Sequence, residues 1–201
     1  MDQTYPYIAS LTREPFLFYE MRVTAELMVQ GLNEKDSVQR IVEENLFQYP
    51  TEKSLPRMAR CCIKRLQAME DTSLIAAIAE NSTETAKQVC LYAMMKQSRL
   101  IWEFMITVIG EKYRLQDTSF GRLDLNVFFM ALQEQSTVVA GWKEATIQKL
   151  KQVITKMLVE TGYLDTPKSD HLNQVWLDPI LYEGIKRNHD EIVLSAFNFF
   201  E

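Results

Sequence analysis

The chain has 201 residues and a mass of 23.4 kDa, with 47% hydrophobic and 24% charged residues. That suffices to bury one ordinary core or two small ones, and it excludes a disordered, collagen-like or disulfide-scaffold chain. The 22 Lys and Arg against 27 Asp and Glu give a net charge of -5, which rules out a uniformly basic nucleic-acid coat but leaves room for a local basic patch.

Six Gly and six Pro are too few for the many tight turns of an all-β sandwich or barrel, so the composition predicts an all-α, compact multi-helix protein. Phe16, Tyr19, Val23, Leu27 and Met28 line one face of a first helix ending near Gly31, a residue suited to a left-handed C-cap. Asn33 caps a second helix with Val38, Ile41, Val42 and Leu46 as its apolar stripe, stopped by Tyr49-Pro50. Ser54 and Pro56 open a third helix to about Met69, and Asp71 opens a short fourth through Ala79. From Ser82 to about Tyr113 the pattern stays helical, with a break expected near Ser98 because a longer unbroken helix is unusual in a small domain. The loop Leu115 to Leu123 reads as a hinge, dividing the chain into an N-terminal bundle, 1–114, and a C-terminal subdomain, 115–201, packed as one globular unit.

Asp124 then caps a helix through about Gln135, and a strong helix runs from about Trp142 to Thr161, ended by Gly162. The segment 163–177 is less regular and allows a short β hairpin. Pro179 starts a helix to about Asn188, and a last helix spans Glu191 to Phe199.

The opening MDQTYPYIASLTREP has an acidic Asp2 and no basic or apolar leader region, and the longest apolar runs reach about one third of the 18 residues that a membrane span requires. Cys61, Cys62 and Cys90 are odd in number, two of them are adjacent, and they lack zinc-type spacing. These features predict a soluble cytoplasmic protein with no membrane partner and no bound metal. No phosphate-cradling glycine loop, nucleophile elbow or paired-histidine metal motif occurs, and only His171 and His189 are available as histidine ligands. The expectation is therefore no catalytic residue, no cofactor and no small-molecule substrate.

The informative stretch is KSLPRMARCCIKRLQAM, Lys53 to Met69, with five basic residues and no acidic one. At about 100° per residue, Leu55, Met58, Ala59, Cys62, Leu66 and Met69 fall together as the buried stripe. Arg57, Arg60 and Lys64 fall within about 60° of one another on the opposite side, with Lys53 near the same direction. Such a ridge can track phosphates, because each neutralised phosphate releases counterions. It could also be a solvated face whose acidic partners lie on a neighbouring helix.

The helix from Trp142 buries Ile147, Leu150, Val153, Ile154, Met157 and Leu158 and presents Lys149, Gln152 and Lys156 outward, with Lys151 at the boundary. Followed by a hairpin, it would resemble a winged helix-turn-helix recognition helix. Tyr5, Tyr7, Phe16, Phe18 and Tyr19 read mainly as core, while Phe197, Phe199 and Phe200 must close a core or form an interface.

The succession EPFLFYEMRVTAELMVQG, VQRIVEENLFQ, SLPRMARCCIKRLQAM and WKEATIQKLKQVITKMLVETGYLD resembles the BrxA family of BREX bacteriophage-exclusion systems. The likeness covers about residues 14 to 165 and is most specific at Glu43 to Leu46, Arg57 to Leu66 and Thr146 to Leu158. It implies a cytoplasmic helical bundle likened to the antitermination factor NusB, and an accessory role in phage defence with binding to double-stranded DNA and no enzymatic activity. The DNA contacts would be Lys53, Arg57, Arg60 and Lys64, helped by Lys149 and Lys156. The alternative is an adaptor that docks on other BREX proteins without touching nucleic acid.

Overall fold

Helical spacing of the apolar residues becomes helix along most of the chain in the computed structural model, which describes residues 6–200. Tyr5 lies outside the described residues. In chain order the α-helices are α1 (Phe18–Val29), α2 (Glu34–Glu43), α3 (Leu55–Ala68), α4 (Thr72–Glu80), α5 (Thr83–Gln97) and α6 (Arg99–Phe104). There follow α7 (Glu111–Arg114), α8 (Arg122–Gln135), α9 (Thr137–Ala140), α10 (Glu144–Glu160) and α11 (Pro179–Arg187). Among the described residues there is no strand, only an isolated antiparallel bridge between Ser119 and His171, so the fold is all-α.

Local chemistry sets most helix ends. Asn33 accepts a hydrogen bond from the Asp36 N–H at 3.0 Å, Asp71 accepts from Ser73 N–H at 2.8 Å, and Ser98 breaks the long helical stretch by capping α6. Gly31 and Gly162 adopt φ values of 87° and 82°, the left-handed conformation that closes α1 and α10.

The chain forms two units. The first comprises Phe16–Gln97 and Asp178–Asn188. In it α3 packs against α1, α2 and α5, and α11 returns to lie on α4 and α5. Its core includes Leu27, Ile41, Phe47, Leu55, Met58 and Ala59.

The second unit comprises Met1–Pro15, Ser98–Leu177 and His189–Glu201. Here a π-helical segment, Met105–Gly110, packs on a 3-10 segment, Glu191–Phe197. Phe104, Phe120, Phe128 and Phe129 form an edge-to-face aromatic cluster. The 115–123 loop is internal to this unit. Its Phe120 N–H donates to Asp170 O, Thr118 O accepts from Leu172 N–H, and Lys112 pairs with Asp117 and Asp124 at 2.9 Å each.

Four local expectations change. Helix α8 starts at Arg122, not Asp124; the Asp124 carboxylate instead accepts from the Gly121 N–H at 2.7 Å from within the first turn. Helix α2 stops before Tyr49-Pro50, because Asn45 takes φ 47° and its side chain bonds the Tyr49 backbone. The last segment is 3-10, ending where Asn198 turns left-handed. No hairpin forms over 163–177: Asn173 N–H makes one rung to Tyr163 O, its side chain bonds Gly162 O and Asp165, and His171 bridges to Ser119. The wing of a winged helix-turn-helix is therefore missing from this segment.

Candidate nucleic-acid interface

Helix α3 enters through a 3-10 turn, Glu52–Ser54, with Pro56 in its first turn, where a missing N–H costs nothing. Every residue of the expected inner stripe is buried: Leu55, Met58, Ala59, Cys62, Leu66 and Met69. That burial fixes the helix rotation, and the rotation turns Lys53, Arg57, Arg60 and Lys64 together into solvent. Over Arg57 to Lys64 the ridge runs about 10 Å along the helix axis. Among the described residues, none of these four cations has a hydrogen bond or a carboxylate within 4.0 Å. The acidic neighbours that would make the ridge an ordinary solvated face are thus not paired with it.

The fifth basic residue behaves differently. Arg65 is 0% exposed, and its guanidinium donates to the Phe16 carbonyl at 3.0 Å and to Gln97 Oε1 at 3.5 Å. A basic residue inside the 53–69 run is therefore structural, and nothing in the sequence distinguishes it from Lys64 beyond one step of helical rotation. Cys62 and Cys90 lie near enough to feel its charge, yet burial dominates and pushes both thiols up, so neither is a ready thiolate. Tyr49 also sits within the field of Arg57; its phenol is raised by burial and by its hydrogen bond to Glu20.

Lys149 and Lys156 belong to the second unit, where both are exposed on α10 with Gln152. Lys151 is half-buried, held by Asn126 Oδ1 at 2.8 Å and 5.7 Å from the centre of the Phe129 ring. Tyr7, Phe16 and Phe197 are buried as core, whereas Tyr19, Phe199 and Phe200 remain exposed. Among the described residues no helix is long and apolar enough to cross a membrane.

A solved structure, an uncharacterized protein from Magnetospirillum magneticum, superposes with a TM-score of 0.81 over 95% of this chain and 97% of that one, at 22% identity, which establishes the fold alone. A BREX protein BrxA from Bacillus cereus (strain H3081.97) is 36% identical over 164 residues, 82% of each chain. Another BREX protein BrxA, from Escherichia coli O9:H4 (strain HS), is 28% identical over 94% of this chain and 88% of its own. The BrxA family model matches residues 5–189. With most of its length matched in this way, the chain belongs to the BrxA family.

Proposed function

We propose that this protein is a non-enzymatic accessory component of a BREX phage-defence system, and that it binds double-stranded DNA through the α3 ridge. One observation carries the reading: Lys53, Arg57, Arg60 and Lys64 share an exposed face with no carboxylate paired to them, on a chain whose net charge is -5. Cations held in a row and left uncompensated gain most from neutralising phosphates, because each contact releases condensed counterions. Contacts to phosphate position a duplex without reading bases, so sequence preference is weak. Lys149 and Lys156 offer additional phosphate contacts. The absence of catalysis in this reading rests on the suppressed thiols of Cys62 and Cys90, on His171 and His189 both being exposed, and on the lack, among the described residues, of any cluster of three His, Cys, Asp or Glu suited to a metal. The reading places the protein in the cytoplasm, with its DNA.

Fluorescence anisotropy with a labelled duplex at several salt concentrations tests it. Arg57→Glu with Lys64→Glu is expected to weaken binding at least tenfold at low salt and to flatten the log-log salt slope by about 2. Unchanged affinity and slope would sink the assignment.

A second reading, an adaptor for other BREX proteins, is favoured by Leu123, Val127 and Met130 of α8, which are 72%, 57% and 60% exposed at i, i+4 and i+7. Co-purification with the neighbouring gene products, with and without nuclease, separates the two: a complex that survives nuclease supports the adaptor.

A further inference from the structure

A cleft of about 620 Å3 opens between α8 and α10. Arg122 of α8 and Lys151 and Lys156 of α10 line it, and no carboxylate does. Lys151 is fixed in place by neutral groups only, the Asn126 amide oxygen and the Phe129 ring, so its ammonium is positioned without being neutralised. Arg122 and Lys156 make no hydrogen bond or ion pair among the described residues. Three like charges around one concavity repel each other, and an anion between them relieves that repulsion.

The volume bears on which anion. A bare phosphate would leave most of the cleft empty, whereas organic ligands occupy pockets of roughly 300–1,000 Å3. Leu125 and Pro167 supply apolar wall, and Gln152 supplies an amide that can both donate and accept. An adjoining recess of about 290 Å3 shares Arg122 and Thr155 and is lined further by Lys168, Ser169 and the exposed carboxylate of Asp170, which is bonded to His171.

We infer that the α8–α10 cleft binds a nucleoside 5′-phosphate, with Arg122, Lys151 and Lys156 on the phosphate and the apolar wall against the base or sugar. The ligand is either a free nucleotide or the phosphorylated end of a nucleic-acid strand; both present the same group to the same cations. The site departs from the expectation of no small-molecule substrate; none of its three cations lies on α3, and Lys156 alone is shared with the duplex contacts proposed above.

The test uses the full chain with two probes: fluorescent methylanthraniloyl-ADP, and a short labelled oligonucleotide carrying either a 5′-phosphate or a 5′-hydroxyl. Saturable binding of at least one 5′-phosphate probe is expected. Arg122→Gln and Lys151→Met should each weaken it about tenfold, while Arg57→Glu with Lys64→Glu leaves unchanged the binding of the ADP probe, or the preference for the phosphorylated over the hydroxyl strand. Binding of the ADP probe identifies a free nucleotide as the source; preference for the phosphorylated over the hydroxyl strand without ADP binding identifies a strand end. Arg122 is solvent-exposed, so its variant carries the test should Lys151→Met fail to fold. The inference is overturned if neither probe binds up to millimolar concentration, if both cleft variants bind as wild type, or if the two strands bind equally and ADP does not.

Discussion

The guanidinium of Arg65 has been taken out of water, and the Phe16 carbonyl, at 3.0 Å, is one of the groups that replace water around it. Arg65→Ala removes that donor, strands a carbonyl in the interior and leaves a cavity where a long side chain stood. The expected cost is about 2–4 kcal/mol, read from urea denaturation, and a variant within about 0.5 kcal/mol of wild type would contradict the role. Gly184 shows the opposite constraint. A Cβ there would sit 2.6 Å from Leu74 Cδ2 and 2.8 Å from its Cγ, so α11 lies on α4 as closely as it does only because residue 184 has no side chain. Gly184→Ala should destabilise by about 1–3 kcal/mol through overpacking, despite the better helix propensity of alanine, and thermal melts would register it.

At the scale of elements, the loop between α7 and α8 is ordered by electrostatics. Asp117 is held down at about 2, first by the Ser119 hydroxyl at 2.6 Å, then by the Lys112 ammonium and the Ser119 N–H. A carboxyl depressed in the fold favours the ionised native state, so its stabilisation is complete above the unfolded value near pH 4 and is lost as pH falls through about 2. Asp117→Asn is expected to melt lower than wild type at neutral pH and to lose less stability between about pH 4 and 2. Circular dichroism melts across that range check it, and an Asp117 carboxyl that titrates by NMR at the ordinary carboxylate value would refute it. The helices themselves were legible beforehand: Asn33, Asp71 and Ser98 announce helix starts because a short polar side chain bonds an N–H two or three residues on. The π-helical Met105–Gly110 was not, since its register answers to packing on Glu191–Phe197, far along the chain.

For the whole molecule, a net charge of -5 repels duplex DNA at distance, and any affinity has to come from charges brought close together. If four ridge cations each meet a phosphate, log affinity against log salt should have a slope of about -3.6, roughly a hundredfold loss between 50 and 200 mM. Reversing Lys35 on α2 and Lys143 at the N-cap of α10, exposed residues that are not on α3, takes the net charge from -5 to -9, as reversing Arg57 and Lys64 does. Only the ridge pair should flatten the slope; equal losses from both pairs, measured by the same anisotropy titration, would mean that total charge and not the ridge governs binding.

The all-α class, the helix order and the outward turn of Lys53, Arg57, Arg60 and Lys64 were determined by sequence alone, because helical period, caps and one-sided apolar stripes act within a few residues of chain. Folding in space decided what spans long separations: that the Phe16 carbonyl and Gln97 meet the Arg65 guanidinium, that Leu74 meets Gly184, and that Arg122 and Lys151 share a cleft. Each of these depends on which distant backbone arrives to exclude water from a side chain, and no local pattern encodes that arrival.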